Sequence, residues 1–284
     1  MLKYWLLLHS IPGIGPATFR KLLLVFGEPQ NVFSATRKEL TNIGVKEKLA
    51  SSILTPPPLE HINKLLAELE RRQIKIITMY DSGYPERFNL KLLKHIKNPP
   101  PIIYVQGRLD YLKAIAIIGT THPSLRGEQK AFRFAFELAK QGFTIVSGYA
   151  KGIDTQAHLG AIKGSGKTII VLPMGILNFK VHSELYPVIG TLFSQSIILS
   201  EFFPTAKWTT AQALLRNRIT AGLANAVLVV EPGNKGGTIS TVRWAKQQNK
   251  TSFIVPPINT DKGKEIWRMG AIKVNTTQEI IKLM

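Results

Sequence analysis

The chain has 284 residues, no cysteine and a formal net charge of +19. The lack of cysteine excludes disulfide bonds, cysteine-ligated zinc, iron–sulfur clusters and thiol nucleophiles in this chain. A globular sequence this basic indicates a polyanionic partner, and nucleic acid is favoured because the charge is not gathered in one basic amphipathic helix or tail. No apolar run approaches the roughly 20 residues that cross a bilayer, and Pro12-Gly13 interrupts the apolar start. We therefore expect a cytoplasmic protein without a signal peptide or a membrane span.

Residues 1–75 are predicted to form a small, all-helical domain, because apolar residues recur at helical spacing within 22–26 and 62–69. The segment Ile11-Pro12-Gly13-Ile14-Gly15-Pro16 precedes one such helix, and residues 42–45 repeat the pattern faintly. This is typical of a helix-hairpin-helix or SAM-like module, whose glycine turn points N–H groups at a DNA phosphate. A small helical bundle without DNA contact is an equal alternative, because such modules also dock proteins.

Residues 76–101 are predicted to be a connector that packs on the main domain. A proline run at 99–101 breaks any helix just before the first predicted strand, as an earlier run at 56–58 does within the helical domain. Residues 81–85, Asp-Ser-Gly-Tyr-Pro, predict a turn.

Residues 102–284 are predicted to form an extended Rossmann-like α/β domain with a mostly parallel, doubly wound sheet. Apolar runs without alternation indicate strands buried on both faces, and their alternation with helical patterns indicates parallel crossovers. The predicted strands are 102–105, 114–118, 143–146, 168–172, 196–199, 226–230 and 252–255. The predicted helices between them are about 127–141, 153–164, 183–194, 212–224 and 237–249.

Three predicted turns, 119–127, 147–154 and 231–238, are rich in glycine and hydroxyl side chains. Each follows a strand and opens a helix, so all three belong to the carboxyl edge of the sheet, where open α/β sheets bind ligands. Free N–H groups and the helix dipole attract anions there, and glycine allows close backbone approach. The turns therefore predict phosphate binding, although none matches a P-loop or a clean G-x-G-x-x-G fingerprint.

Two further groups of polar residues allow alternative interpretations. Arg216-Asn217-Arg218 is interpreted as a bidentate phosphate clamp, the alternative being surface charges paired with carboxylates. Asp154 and His158 are four residues apart and share a helix face. A metal or acid–base pair is one interpretation. The favoured one is a capping carboxylate with a structural histidine that ties the loop to the helix, since no third metal ligand lies nearby in sequence.

Aromatic residues make up 8% of the chain, and the turns contain no stripe that interleaves aromatic and basic residues. Binding through stacked bases usually needs such a stripe. We therefore expect nucleic acid to be held mainly by its backbone.

The motifs together resemble the DNA-processing protein A (DprA/Smf) family. SGYAKGID followed by Ala157-His158 resembles its SG-x-A-x-GID-x-x-AH pattern, and RNRITAGL at 216–223 resembles its R-N-R-I-I-A-G-L block. The resemblance covers about residue 75 to the end. Further matches follow in the family's order at Asp81…Tyr84-Pro85, Leu172…Gly175, Tyr186-Pro187, Ser200-Glu201, Gly236-Gly237-Thr238…Thr241 and Val255-Pro256.

The resemblance implies a homodimeric, non-enzymatic protein that binds single-stranded DNA in the pocket formed by the turns. It implies protection of incoming DNA during natural transformation, help in loading the RecA recombinase, and no cofactor, metal or catalytic residue. The predicted DNA phosphate-binding residues are Gly119, Thr120, Thr121, Ser124, Arg126, Ser147, Gly148, Lys151, Gly152, Arg216, Asn217, Arg218, Lys235, Gly236, Gly237 and Thr238. The residues predicted to be structural at the site are Asp154, His158, Glu201 and Glu231.

The sequence departs from the family pattern at two sites. Thr121 stands where members usually have a DNA-contacting arginine, and Val188-Ile189 follow Tyr186-Pro187 where a basic residue often stands. Arg126, Lys151 or Lys235 are candidates to compensate for Thr121. The chain ends at Met284 directly after the last α/β element, so the winged helix that many relatives carry is expected to be absent.

Two other functions remain open. Residues 232–238 faintly resemble the P-G-G-x-G-T turn of nucleoside-monophosphate phosphoribohydrolases, but Thr241 stands where those enzymes have a catalytic glutamate. The turns offer only Asp154, Glu201 and Glu231 as candidates for a catalytic carboxylate. The remaining alternative is a sensor of a small nucleotide.

Overall fold

The structure is a computed structural model that describes residues 1–81, 93, 96, 98–108, 110, 113–233 and 237–284. The chain divides into two compact units, Met1–Asp81 with Lys97–Tyr104, and Ser82–Ile96 with Val105–Met284. These limits differ from the predicted boundaries at 75 and 101. Part of the reason is a backbone hydrogen bond of 2.9 Å from Met79 N–H to the Pro101 carbonyl, which attaches the segment before residue 102 to the first unit. Among the described residues, no helix combines the length and apolarity that crossing a membrane requires.

The first unit is mainly helical, as its apolar periodicity predicts. Its strands are β1 (Lys75–Thr78) and the first part of β2 (Ile102–Gln106). Its helices are α1 (Leu2–Ser10), α2 (Pro16–Phe26), α3 (Pro29–Val32), α4 (Arg37–Asn42), α5 (Glu47–Leu54) and α6 (Leu59–Arg71).

The two glycine turns of the first unit repeat the same construction. Gly13 joins α1 to α2 with a φ of +93°, and Gly44 joins α4 to α5 with a φ of +77°. Both lie in the left-handed region that favours glycine, so each helix pair depends on its glycine. The predicted faint repeat at residues 42–45 is thus a second hairpin.

The second unit contains a parallel sheet with strand order β6-β5-β4-β3-β7-β8-β9. All of these neighbours pair in parallel. The chain runs outward from β3 to β6 and then returns to the other side of β3, so the direction of winding reverses between β3 and β7. The strands are β3 (Ala114–Gly119), β4 (Thr144–Ser147), β5 (Thr168–Val171), β6 (Ser196–Ser200), β7 (Ala226–Val230), β8 (Thr251–Ile254) and β9 (Ile272–Lys273).

Helices cover this sheet and enclose a core in which Ile115, Phe134, Leu138 and Phe253 are fully buried. Helices α7 and α8 approach closely because position 160 is glycine: a Cβ there would lie 2.9 Å from the Cβ of Ala135. The helices are α7 (Leu125–Lys140), α8 (Ile153–Lys163), α9 (Ile189–Gln195), α10 (Thr210–Gly222), α11 (Gly237–Gln247), α12 (Asp261–Arg268) and α13 (Thr277–Leu283).

The predicted fold class is confirmed, and the differences are local. The predicted helix 183–194 is divided into a 3-10 helix, Ser183–Val188, and α9. Pro187 lies inside the first part, where it has no N–H to donate to an α-helical bond. Helices α12 and α13 were not predicted, because each is short and buries two residues, too few to make a periodic pattern.

Candidate nucleic-acid interface

A cleft of about 560 Å³ lies at the carboxyl edge of the sheet, where the winding reverses between β3 and β7. Residues of all three predicted turns line it, and α10 closes another side. Such a reversal point is where open α/β sheets bind ligands. The residues named from the sequence that line the cleft are Gly119, Thr120, Thr121, Gly148, Asp154, Arg216, Asn217, Glu231, Gly237 and Thr238.

Glycine allows the turns to pack this closely. Gly152 has a φ of +77°, and a Cβ on it would lie 2.7 Å from the Thr120 carbonyl oxygen. Its neighbour Ile153 donates its N–H to that same oxygen at 3.2 Å. A Cβ on Gly148 would lie 2.5 Å from both Nη1 and Nη2 of Arg216. Gly152 therefore has a backbone role, and Gly148 makes room for the guanidinium.

Arg216 lines the cleft and is only 7% exposed. Its Nη1 donates to the Val171 carbonyl, and its Nε lies 3.3 Å from Asn217 Oδ1. Burial lowers the pKa of Arg216, and the nearby carboxylate of Asp154 opposes that shift. The cation is thus held in place by the protein while it still borders the open space.

Asp154 lies in the first turn of α8, beside Arg216. Burial raises the pKa of this carboxyl to about 6, against the opposing effects of Arg216, of the Ser147 side chain and of hydrogen bonds from the N–H groups of Ala150 and Gly148. The carboxylate thus uses N–H donors of the turn that the sequence predicts for phosphate.

Glu231 occupies the start of α7 in a similar way. Its Oε1 accepts the Ser124 N–H at 2.7 Å, and its Oε2 accepts the Ser124 hydroxyl at 2.6 Å. The Ser124 oxygen in turn caps α7 by accepting the Gly127 N–H at 3.1 Å. The prediction of Ser124 as a phosphate ligand is therefore corrected: its donors already serve Glu231.

Ser147 and Arg218 require the same correction, because both are buried outside the cleft. The Ser147 hydroxyl donates to the Ile117 carbonyl at 2.6 Å. Arg218 is 1% exposed, and its Nη2 donates to Glu201 Oε2 at 2.5 Å while its Nη1 bonds the other carboxylate oxygen. Residues two apart on a helix are rotated by about 200° and so point to nearly opposite sides, which prevents Arg216 and Arg218 from clamping one phosphate together.

His158 connects the glycine turn to α8. Its Nε2 donates to the Gly148 carbonyl at 2.8 Å, and its Nδ1 lies 2.7 Å from the Thr168 hydroxyl. Burial lowers the pKa of His158 to about 4, so the ring is neutral at physiological pH. No group of three His, Asp or Glu side chains within the described ranges is arranged to hold a metal ion.

The remaining predicted residues lie elsewhere. Arg126 and Lys151 are exposed and do not line the cleft. Lys235 and Gly236, like Tyr84-Pro85 of the predicted connector turn, fall outside the described residues.

The cleft is also lined by two aromatic side chains that the sequence did not single out, Trp208 and Tyr149. Trp208 is 57% exposed and precedes Thr209, whose hydroxyl caps α10 by accepting the Gln212 N–H at 3.2 Å. An exposed indole in a cleft that a guanidinium also lines offers a stacking surface for a base. The two residues come from distant parts of the chain, so no local stripe indicated them.

Two sequence families match the chain. The family described as DNA recombination-mediator protein A matches residues 75–284, and the SAM-like helix-hairpin-helix tandem matches residues 6–55. Protein Smf from Synechocystis sp. is 32% identical over 260 residues, which cover 89% of this chain and 64% of that protein. DNA processing protein DprA from Bacillus subtilis is 32% identical over 196 residues, which cover 68% of this chain and 64% of that protein. The matched region thus spans about 64% of the length of these relatives.

Two solved structures are similar as well. DprA from Streptococcus pneumoniae aligns with a TM-score of 0.80 at 23% identity, covering 99% of this chain and 98% of that chain, which shows a common fold. DNA processing protein A from Helicobacter pylori, described for its single-stranded DNA binding mode, aligns with a TM-score of 0.63 at 29% identity, covering 74% and 95%. The chain thus belongs to the DprA/Smf family, the DNA recombination-mediator protein A family.

Proposed function

We propose that this protein binds single-stranded DNA in the cleft between β3 and β7, as a non-enzymatic protein of DNA processing. The observation that carries the proposal is the convergence of three turns on one open cleft that the largely buried Arg216 and the exposed Trp208 both line. A cation and an exposed indole in one open cleft match the two parts of a single strand, its phosphates and its unpaired bases.

The start of α11 is the best candidate for a backbone phosphate. Gly237 is exposed and lines the cleft, and a Cβ placed on it meets nothing within 4 Å. The first turns of α7 and α8 differ, because Glu231 and Asp154 lie there. Hydrogen bonds from Asn217 Nδ2 to the Gly237 carbonyl, 3.2 Å, and from Thr238 Oγ1 to the Gly119 carbonyl, 3.3 Å, fix α11 against the cleft. Helix N-termini in general attract anions through the dipole and the first N–H groups, which is why we assign a phosphate here.

The acidic side chains of the cleft do not preclude a polyanion. Glu231 accepts two hydrogen bonds from Ser124, and Asp154 accepts backbone N–H groups beside Arg216. Their charge is partly offset in this way, and the net charge of +19 on the whole chain attracts DNA from a distance.

The site supports binding without catalysis. At the position where a phosphoribohydrolase needs its glutamate, Thr241 is 3% exposed and its hydroxyl lies 3.4 Å from the Gly237 carbonyl. A buried threonine cannot act as a general base at neutral pH. Release of free base from nucleoside monophosphates would contradict this part of the proposal.

Membership of the DprA/Smf family supports a more specific role. We infer that the protein is cytoplasmic, acts as a homodimer, protects incoming single strands during natural transformation, and helps to load RecA during recombination. The RecA step is tested by filament growth on a fluorescent single strand, which the protein should accelerate when it is added before RecA.

The binding proposal is tested by a salt series with single-stranded and double-stranded oligonucleotides of equal length, and with mononucleotides as a third ligand. We expect preference for the single strand and a log–log decrease of affinity with salt of about 0.7 per phosphate contact. Affinity that is flat with salt, or preference for the duplex, would contradict the proposal. Tight binding of mononucleotides alone would favour the sensor instead.

A further inference from the structure

A second basic surface lies outside the cleft, on one face of α7. Arg126, Lys130 and Arg133 are spaced by four and three residues, so they share one face of the helix. With the chain segment 255–257 opposite, they border a groove of about 670 Å³. We call this surface the α7 groove.

The charge of the α7 groove is not balanced by its own lining. Its lining residues within the described part of the chain include three cations and no carboxylate. Lys130 donates to the Pro256 carbonyl, and Arg133 has a loose contact of 3.7 Å with Glu137. Burial lowers the pKa of Lys130, and the neighbouring positive charges of Arg126 and Arg133 lower it further.

Helix stability does not explain this arrangement. Like charges one turn apart destabilise a helix by a few tenths of a kcal/mol per pair. An anionic partner would relieve that repulsion. The groove therefore fits a ligand that carries several negative charges along its length.

The α7 groove begins beside the cleft. Glu231 lines the cleft and binds Ser124, which lies two residues before Arg126. Its charge also raises the pKa of Lys130, so it lies near the groove as well. From Arg126 to Arg133 the helix rises about 10 Å. A strand that leaves the cleft over Glu231 would thus meet a row of cations directly.

We propose that the α7 groove holds the phosphodiester backbone of the DNA strand where it leaves the cleft. One arginine can bind two phosphate oxygens at once, and the lining residues that the structure describes in this groove include no aromatic side chain for base stacking. Contact there is therefore independent of sequence. The inference rests on the proposed function, because it extends the path of the same strand.

The test uses the full chain and two oligothymidylates, one of about four nucleotides, at the lower end of known single-strand site sizes, and one of about thirty that extends well beyond the cleft. The groove variant carries Arg126→Gln and Arg133→Gln and keeps Lys130, which binds the protein backbone. The control carries Lys140→Gln and Lys163→Gln. It removes the same charge from the C-terminal turns of α7 and α8, at the opposite edge of the sheet.

For the long oligonucleotide we expect the groove variant to lose about tenfold in affinity and about 1.4 in salt slope, as two lost phosphate contacts predict. Its affinity for the short one should stay within about twofold of the parent. A loss no larger than in the control, or an equal loss for both lengths, would overturn the inference and leave the proposed function standing. If an acidic peptide displaced the long strand from the groove without affecting the short one, the groove would be a protein-docking surface and the inference would also fail. Failure of the parent protein to bind either length would instead contradict the proposed function.

Discussion

The two faces of α10 carry arginines in opposite settings. Arg216 borders the cleft beside Asp154. Arg218, two residues later, points into the core and donates hydrogen bonds from both terminal nitrogens to the carboxylate of Glu201. One segment of sequence, Arg-Asn-Arg, thus serves a candidate binding site on one side and the fold on the other. Residue type does not determine the role here; the angle around the helix does.

The environments of the two cations differ in how fully the charge is balanced. Arg218 and Glu201 are both almost completely buried and meet in a bidentate pair. Arg216 has Asp154 as its neighbour, and burial raises the pKa of that carboxyl to about 6, so it is mostly ionised at neutral pH and loses its charge only as the pH falls through about 6. The charge balance around Arg216 therefore depends on pH.

The largest expected effect is on the free energy of unfolding and comes from Arg218, on the core side of α10. Arg218→Ala leaves Glu201 as a buried, unpaired charge, so the free energy of unfolding should fall by about 3–5 kcal/mol in urea titrations. The matched control is Arg37→Ala, which removes the exposed pair with Glu47 and should cost at most about 1 kcal/mol. Equal effects of the two substitutions would contradict the assignment of Arg218 to the core face of α10.

The next effect is on the cleft side. Arg216→Ala should weaken binding of single strands about 10- to 100-fold, as expected for a lost hydrogen bond to a charged group, and reduce the salt slope by about 0.7. The loss should be alike for all base sequences, because a phosphate contact carries no sequence information. Arg216→Lys keeps the charge and should retain part of the affinity. Unfolding in urea checks that both variants fold, and unchanged DNA affinity in a folded Arg216→Ala protein would contradict the role of this face.

Substitution of Trp208 separates the contribution of base contacts to DNA binding from that of the phosphate contact at Arg216. Trp208→Ala should cost about 1–3 kcal/mol in binding, with the salt slope unchanged, because stacking releases no counterions. The control is Trp267→Ala, another exposed indole, which lies on α12 outside the cleft lining. Fluorescence quenching by DNA that disappears with Trp267 and persists without Trp208 would refute the assignment.

The smallest expected effect is the pH dependence of binding. Asp154 loses its proton as the pH rises through about 6, and the new negative charge lies beside Arg216. Affinity for single strands should therefore increase about three- to tenfold as the pH falls from 7.5 to 5.5 at constant ionic strength, roughly 1 kcal/mol for one nearby charge. His122 also lines the cleft, so the series is measured in a His122→Gln background. In that background Asp154→Asn should flatten the curve, and a curve that keeps its slope would rule out Asp154 as the cause.

Strand positions could be predicted from the sequence because continuous apolar runs mark strands buried on both faces. The predicted strand 226–230 coincides with β7, and the predicted 114–118 differs from β3 by one residue. The turns follow those strands, so their convergence at one edge could be predicted too. The opposed directions of Arg216 and Arg218 also follow from helix geometry, and here the interpretation as a clamp was wrong.

Other features of the site depend on residues that are distant in the chain. Glu231 reaches Ser124 across 107 positions, and its occupation of the α7 start has no local sequence signal. Tyr149 and Trp208 both line the cleft but belong to two different connections of the chain. Such pairings are determined by the order of the strands, which periodicity does not reveal.

The most direct test of the central claim is photocrosslinking of a short oligothymidylate that carries 5-bromouracil, followed by mass spectrometry of the crosslinked peptides. The account predicts a dominant crosslink at Trp208 or Tyr149, lost when high salt releases the DNA. Crosslinks confined to residues 1–81, or to Trp267 on α12, would contradict a binding site at the carboxyl edge of the sheet.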